Sequence, residues 1–467
     1  MDVKEITARQ MEFLEKAKGA AVEFAGRIGH APKSYIETFG CQMNARDSEK
    51  LRGILREAGF ADTDEENDAD LVIYNTCTVR DNADQHVYGR LGRLGGSRKS
   101  HPGRIVGLCG CLMQEPHAAE KIKKSYPFVN LVFGTHNLYA FPEILYRALT
   151  EKKRVFAIEE KTTVLPESLP VERKHGFKSG VNIMYGCDNF CTYCIVPYVR
   201  GREISREPED ILAEIRRLAA DGVKEIMLLG QNVNSYGKKL AEPATFAGLL
   251  HRICRVDGIE RVRFMTSHPK DLSEDLIRAM AEEKKICPHL HLAVQSGSDR
   301  LLKKMNRHYD RAHYLELVRR LRAAVPDISL TTDIIVGFPG ETEEDFADTL
   351  SLVREVGFDS AFTFIYSKRT GTPAASYPDQ VPDEIAHERF DRLLAAVKEG
   401  AEERCGRFSG QVLEVLVEEE NRQPGYVTGR TPHNIVVHFP GTQEDIGKIV
   451  NVRLSDPRGF YYFGERA

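Results

Sequence analysis

Three cysteines in one short loop carry the clearest chemical signal in this sequence. The stretch GCDNFCTYC (186–194) places Cys187, Cys191 and Cys194 in a C-x3-C-x2-C pattern. Three thiolates can ligate three irons of a 4Fe–4S cluster and leave the fourth iron without a protein ligand. Such an open iron can bind and reduce a small molecule. A zinc knuckle is the competing reading, but it wants four Cys or His ligands in paired C-x2-C spacings. No second pair lies nearby, and Pro197 follows the loop closely, so the cluster is preferred.

A second group is scattered: Cys41 in TFGCQMN, Cys77 in YNTCTVR and Cys111 in LCGCLMQ. Each stands just beyond the carboxyl end of a candidate strand. In an open parallel sheet those ends gather along one edge, where ligands bind. Buried free cysteines are common as small apolar residues. Three at equivalent strand ends, flanked by small or polar residues, favour a second cluster instead. Cys109 competes with Cys111 for the third place; it ends the strand whereas Cys111 occupies the turn, so Cys111 is chosen. Cys254, Cys287 and Cys405 have no evident partners and are read as structural.

These residues need a scaffold, and 467 residues imply two to four domains. Residues 1–32 form a helical extension whose Asp, Glu and Lys residues break up any signal-peptide core. Over 33–150, candidate strands at 34–39, 71–76, 104–109 and 130–134 alternate with helices, which predicts an open parallel α/β domain. Residues 151–176, charged and proline-bearing, read as a linker with room for a hairpin. Over 177–404, strands at 181–186, 225–230, 261–266, 289–294, 330–337 and 361–366 make six βα units. Six units are two short of a closed eight-fold barrel, so a partial (β/α)6 barrel is expected. The Cys187 loop follows its first strand, at the end where such folds keep their chemistry. Residues 405–467 break into short apolar strands, as in a small antiparallel β-barrel. The fold class is α/β.

Bulk properties exclude several roles. A net charge of −4 argues against a protein that coats nucleic acid wholesale. No apolar run reaches the ~18–20 residues that a membrane span needs. Without an export signal the expected compartment is the reducing cytoplasm, where ten cysteines are not structural disulfides. Local basicity remains: no acid occurs from His86 to Gln114, a stretch that holds Arg90, Arg93, Arg98, Lys99 and Arg104. Such a segment could hold nucleic-acid phosphates. The last domain has seven Lys/Arg against eight Asp/Glu between Gly406 and Ala467. RNA contact there would rest on Arg430, His433 and Arg453, or on stacking at Tyr426 and Phe439. A solvated charged face is the alternative for the charges.

The Cys187 loop resembles that of the radical S-adenosylmethionine superfamily. The resemblance implies that the open iron chelates the methionine portion of S-adenosylmethionine and that reductive cleavage yields a 5′-deoxyadenosyl radical. It also puts Tyr193 beside the adenine. Other barrel loops suit cofactor binding less specifically: Gln231 and Asn232 after strand two, Gln295 and Ser296 after strand four, and Asp333 in strand five. Ordinary loop and capping chemistry explains any one of them equally well. No acid–base catalyst is assigned.

Taken together, TFGCQMN, NTC-x-VR, GCDNFCTYCIVPYVRG, LLGQNVN, HLAVQSGSD and DIIVGFPGET are similar to the methylthiotransferases, from about residue 33 to the C-terminus. The last segment resembles a TRAM domain. TSHPKD, SKRTGTPAA and GRTPHNIVVHF are most like the MiaB branch, the tRNA-2-methylthio-N6-dimethylallyladenosine synthases. The resemblance implies two 4Fe–4S clusters, a radical-generating one on Cys187, Cys191 and Cys194 and an auxiliary one on Cys41, Cys77 and Cys111. It implies S-adenosylmethionine as both methyl donor and radical source, with sulfur inserted at carbon 2 of N6-isopentenyladenosine beside the anticodon. An unactivated C–H bond of that kind calls for cofactor radical chemistry. The implied partners are a tRNA, an electron donor and a sulfur source, and a monomer is expected. The neighbouring alternatives are a methylthiotransferase for N6-threonylcarbamoyladenosine or for a ribosomal-protein aspartate. A non-catalytic iron–sulfur RNA-binding protein is the alternative of another class.

Overall fold

The computed structural model describes residues 3–78, 81–96, 101–161 and 169–467. Two compact units emerge. One comprises Met1–Lys174 with Tyr185–Asp188 and Ile195–Ile204; the other comprises His175–Met184, Asn189–Cys194 and Ser205–Ala467.

The first unit is built on a fully parallel sheet. Its strands are β1 (Lys33–Thr38), β2 (Ala61–Asp62), β3 (Leu71–Thr76), β4 (Ile105–Gly110), β5 (Leu131–Phe133) and β6 (Val155–Ala157), in the order β2-β1-β3-β4-β5-β6. The helices are α1 (Val3–Ile28), α2 (Gln42–Glu57), α3 (Asp81–Gly96), α4 (Pro116–Ser125) and α5 (Phe141–Thr150). Strand alternation assigns the two faces. Leu71, Ile73, Ile105, Cys109 and Leu131 share one core with residues of α1, α2 and α5. Val72, Tyr74, Val106, Leu108 and Val132 share the other with α3 and α4. Both faces are therefore covered, as a parallel sheet requires.

Two sequence expectations change here. The presumed linker contributes β6, which pairs with β5, and its later part lies along α2: Glu172 N donates to Glu49 O (2.9 Å) and Arg56 pairs with Glu172 (2.8 Å). A three-residue strand is too short to show a period. The N-terminal extension is part of the domain rather than an appendage. Leu14, Ala17, Ala21 and Phe24 form an apolar stripe at helical spacing, and Phe24 stacks on Phe60 with ring centroids 6.2 Å apart. Arg9 pairs with Glu143 and Arg27 donates to Leu149 O, so both ends of α1 are fastened to α5.

The second unit carries six parallel barrel strands: β7 (Lys178–Asn182), β10 (Glu225–Leu229), β11 (Arg261–Phe264), β12 (His289–His291), β13 (Ser329–Val336) and β14 (Ser360–Ile365). The short β8 (Met184–Tyr185) and β9 (Ile204–Ser205) pair with each other beside the cysteine loop. The ladders β11-β10-β7 and β12-β13-β14 are joined by single bridges, Val262 to Ile286 and Ser267 to Leu292. After α6 (Val196–Val199), the helices α7 (Pro208–Ala220), α8 (Phe246–Cys254), α9 (Glu274–Glu282), α10 (Asp299–Lys304), α11 (Arg311–Ala324), α12 (Glu343–Val356) and α13 (Asp383–Cys405) complete the βα units. Side-chain caps at Thr245, Ser273, Ser298, Asp310 and Thr342 start five of them. Strand β7 begins earlier than its apolar run suggests, because pairing starts at Lys178 against Glu225.

The closing domain is a closed barrel of β15 (Val412–Glu420), β16 (Tyr426–Arg430), β17 (Val436–Pro440), β18 (Ile449–Pro457) and β19 (Tyr461–Arg466). Its pairings are antiparallel except β17 with β19, which is parallel. Five strands cannot alternate direction all the way round a ring, so one like-directed pair is obligatory. Arg261 and Arg263 of β11 bind this barrel through the carbonyls of Arg430, Glu414, Thr431 and Pro432. Among the described residues no helix is long and apolar enough to cross a membrane.

Because Phe24 is enclosed between α1 and the sheet, Phe24→Ala is expected to cost about 3–5 kcal/mol of first-domain stability. Denaturant unfolding followed on that domain measures it as a lowered midpoint.

Candidate functional site

In the first unit β1, β3 and β4 are immediate neighbours, so the turns after them open side by side. Cys41 stands before the first residue of α2, Cys77 directly follows β3, and Cys111 opens the 3-10 turn after β4. Asn44 is the common reference point. Its Oδ1 lies 3.9 Å from Cys41 Sγ and 3.8 Å from Cys111 Sγ. Cys77 is reached through Gly40: a Cβ built there would fall 2.6 Å from the Cys77 sulfur. Gly40 also has φ +109°, a conformation open essentially to glycine. Gly110, at φ +94°, is likewise wedged against Thr76 O and Asn75 Oδ1. Three thiols are thus gathered, and the close approach of these backbones is what gathers them.

Burial pushes the Cys111 thiol up to about 12; the Arg200 guanidinium opposes this, while Cys77 and Cys41 add to it. Arg200 donates from Nε to Cys111 Sγ (3.3 Å) and from Nη2 to Asn44 Oδ1 (2.6 Å) and Asp47 Oδ2 (3.0 Å). Cys109 faces the opposite way and packs in the core shared with α2 and α5, whereas Cys111 packs with Ile195 and Val199. Arg200, Asn44 and Asp47 were not singled out from the sequence. They lie inside or beside the quoted motifs, but nothing in their spacing marks them as partners.

Cys187 belongs to this unit, where its N–H donates to Gly201 O (3.1 Å) and Gly186 backs onto the Arg202 carbonyl. Cys191 and Cys194 belong to the second unit. There Arg307 plays a part comparable to that of Arg200. Its Nη1 donates to Cys191 Sγ (3.5 Å), its Nη2 donates to Ala293 O, and its Nε donates to Tyr309 Oη (3.1 Å). Thr192 Oγ1 donates to Lys304 O (3.0 Å), and Asn306 Nδ2 donates to the carbonyls of Asn189 and Phe190 (3.1 Å each). Phe190, Thr266 and Gln295 hold left-handed φ values without being glycine, in loops that follow β8, β11 and β12, and Asn306 does so after α10. Backbone held this way clusters at functional sites. Among the described residues no three His, Cys, Asp or Glu side chains close on a point as one metal ion requires; a four-iron cluster puts its own irons between its thiolates.

The polar candidates divide. Asn232 is consumed by its own loop, donating to Asp271 Oδ2 (2.8 Å) and accepting from His268 N (3.3 Å). Ser296 is buried against Thr349, with Oγ atoms 3.2 Å apart. Gln295 bridges to β13 through its backbone, and Asp333 Oδ2 stands 3.4 Å from His291 Nε2. Tyr193 packs beside Leu301, Met305 and Phe338; burial raises its phenol, opposed by Arg307. Gln231 is half-buried at the end of β10. In the loops after β10 and β11, Asn234, which lies in the polar loop read from sequence, leaves both amide atoms buried without hydrogen-bond partners, and so do Ser267 Oγ and His268 Nε2, which were not singled out. Burial holds the His268 imidazole neutral, with Arg307 and Lys270 adding to the effect. Its Nδ1 accepts from Lys270 N (3.2 Å), so its proton sits on the unpartnered Nε2.

The RNA candidates also divide. Arg98 and Lys99 lie outside the described residues. Arg90 is paired with Glu37 (2.9 Å) and Glu66 (3.7 Å), and Arg104 donates to the carbonyls of Ala69 and Asn67. Arg93 and Arg453 are exposed; Arg453 also donates to Gly410 O (3.0 Å). Arg430 is turned onto Asn434, 3.7 Å from Glu418. Phe439 cannot stack on a base: strand alternation buries it fully inside the barrel. The outward neighbours of that strand face are half-exposed aromatics, with His438 5.1 Å from Tyr461 and 5.6 Å from Phe463, and Tyr426 6.4 Å from Phe463.

Comparison with known proteins follows this division of the chain. The Radical SAM superfamily profile matches residues 181–353, that of Uncharacterized protein family UPF0004 matches 33–134, and the TRAM domain matches 406–466. The tRNA-2-methylthio-N(6)-dimethylallyladenosine synthase of Lachnoclostridium phytofermentans is 58% identical over 96% of this chain and 98% of its own length. The chain belongs to this family. The synthase of Acetivibrio thermocellus is 53% identical over 96% of the chain and 94% of its own length. Among solved structures, the radical S-adenosylmethionine methyltransferase TsrM of Kitasatospora setae shares the fold at TM-score 0.53 and 16% identity, over 74% of each chain. As a family member the chain has the α/β architecture with a radical SAM domain and a TRAM barrel.

Two measurements probe this geometry. Gly40→Ala forces a side chain onto Cys77, and it is expected to lower iron loading at the first-domain triad and to leave loading at the Cys187 loop intact. Iron per chain, measured in a Cys187→Ala background, reports the triad alone. Burial lowers the His433 imidazole to about 4, helped by Arg407. Its pKa lies below the ordinary 6.5, so the unfolded chain binds the proton first and stability falls as pH drops from 6.5 to 4. Thermal midpoints across that window should show the slope, and His433→Gln should flatten it.

Proposed function

We propose that this protein inserts a methylthio group at carbon 2 of N6-dimethylallyladenosine next to the anticodon of tRNA. The observation that carries the reading is the convergence of Cys41, Cys77 and Cys111 around Asn44, in a family member that also bears the C-x3-C-x2-C loop. A second thiol triad gives a sulfur-inserting radical enzyme a place for the cluster that carries the sulfur.

The donor set suits two 4Fe–4S clusters: three thiols each and a buried arginine on one sulfur of each set. When bound, one cluster supplies reductive cleavage of S-adenosylmethionine to a 5′-deoxyadenosyl radical, and the other carries the sulfur that a further S-adenosylmethionine methylates. The chain's own residues do the rest. Asn234, Ser267 and His268 offer unpaired polar atoms at the ends of β10 and β11, and such groups call for a polar ligand. We assign them, with Tyr193, Gln231, Gln295 and Asp333, to S-adenosylmethionine. Neutral His268 donates rather than repels there, which suits a sulfonium cosubstrate.

The barrel aromatics Tyr426, His438, Tyr461 and Phe463 present ring faces for stacking with unpaired bases. Arg93, Arg98, Lys99 and Arg453 supply phosphate contacts, and the modified base leaves its stack to be reached. The enzyme acts as a cytoplasmic monomer and draws on an electron donor and a sulfur source.

Expression in cells that lack their own enzyme, with mass spectrometry of tRNA nucleosides, tests the substrate. The expected product is 2-methylthio-N6-dimethylallyladenosine; thiolated threonylcarbamoyladenosine in its place overturns the assignment. Reconstituted protein should hold about eight irons. Cys77→Ala should keep 5′-deoxyadenosine release and lose methylthio product, whereas Cys187→Ala should lose both.

A further inference from the structure

We infer that Arg200 is a positioning residue of the Cys41, Cys77 and Cys111 triad. It holds the Cys111 sulfur by an N–H···S hydrogen bond and raises the reduction potential of the cluster those cysteines carry. The inference rests on the reading of the triad as cluster ligands.

Arg200 is the buried cation whose hydrogen bond reaches a triad sulfur. Its Nε donates to Cys111 Sγ at 3.3 Å, and the two side chains of its ion pair with Asp47 are only 5% and 6% exposed. A guanidinium taken out of water is costly unless charge and hydrogen bonds compensate it. Asp47, at 3.0 Å, supplies one counter-charge. The three thiolates of a loaded triad supply more.

The position of the guanidinium is fixed rather than adaptable. Asn44 Nδ2 donates to the carbonyls of Phe39 and Thr76 (2.8 Å each), which turns Asn44 Oδ1 toward Arg200 Nη2. Asn75 Nδ2 donates in turn to Asn44 O (2.8 Å) and Ser48 Oγ (3.0 Å). The cation is therefore held by the same loops that carry the cysteines. No hydrogen bond occupies its Nη1 among the described residues, which leaves a donor for a group that arrives at the triad.

Reduction adds one negative charge to a cluster. In a low dielectric a cation at this distance favours the reduced form, and hydrogen bonds to ligand sulfur act in the same direction. Lysine keeps the charge but has no fork with which to hold sulfur, amide and carboxylate together. A purely structural role, fastening residues 195–204 to α2, would affect stability and leave the potential where it is.

The test uses the full chain with Cys187, Cys191 and Cys194 replaced by alanine, so that the triad carries all the iron. Redox titration followed by electron paramagnetic resonance reads the reduction equilibrium, with thermal midpoints recorded alongside. Arg200→Met should lower that equilibrium constant about tenfold, equivalent to about 59 mV for one electron. Arg200→Lys should fall between this and the parent. Asp47→Asn removes the counter-charge and should shift the constant the opposite way, so the inference stays testable if Arg200→Met fails to hold a cluster. Constants for Arg200→Lys and Asp47→Asn within twofold of the parent, or shifted in the same direction, overturn it. A parent variant that binds no iron at all instead sinks the reading of the triad as ligands.

Discussion

Sulfur that is to bind iron must lose its proton, and a thiol out of water resists losing it. Burial, with neighbouring thiols adding to it, pushes Cys111 up to about 12, and burial raises Cys109 well above the ordinary thiol range. A protein that encloses such groups has to supply positive charge, from metal or from side chains. Here a guanidinium meets one sulfur in each cysteine set, Arg200 on Cys111 and Arg307 on Cys191. Arginine suits this better than lysine because it stays charged when buried and spreads its donors over a plane. Much of the surrounding architecture serves to put those two planes in place.

In the first domain the requirement reaches down to single glycines. Adjacent turns can bring three thiols together only if their backbones nearly touch, and Gly40 and Gly110 stand where a Cβ would strike Cys77 or Thr76. The parallel sheet makes the turns adjacent, and its two covered faces keep β3 and β4 fully enclosed. The helix before the first strand completes one of those covers through Leu14 and Phe24. A segment outside the recognised motifs thus supports the site indirectly, by holding rigid the sheet on which the loops sit.

Much of this was legible in the residues, for reasons that also explain the failures. Cys41, Cys77 and Cys111 could be grouped because each follows a strand, and the choice of Cys111 over Cys109 followed from strand against turn. Arg90 looked free because its run of sequence holds no acid, yet Glu37 meets it from 53 positions away. Phe439 looked available for stacking because VVHF shows no polar alternation; the ladder to β16 sets Val437 and Phe439 inward and His438 outward. Asn232 and Asn234 are indistinguishable in sequence, and only the loop reveals that one is satisfied by Asp271 while the other has no partner. Strand β6 and the parallel closure of the barrel depend on edges and strand number, which local pattern does not record.

The two arginine contacts also differ in a way that bears on what each must do. Arg200 is fixed by side chains, the Asn44 amide and the Asp47 carboxylate, and so carries a compensating charge of its own. Arg307 is fixed by a backbone carbonyl and a phenol, Ala293 O and Tyr309 Oη, neither of which is an anion. Its charge is therefore left to Cys191 and to whatever Cys191 binds. A cation without a protein counter-ion favours the reduced, more negative state of its ligand more strongly than one already half-neutralised. Burial of Arg307 enlarges that preference, because a low dielectric strengthens the pull of the cation on the sulfur it meets. Beside the first-domain triad Asp47 already offsets part of the Arg200 charge, so the pull of that cation on an added electron is moderated rather than abolished, and the carboxylate sets its size.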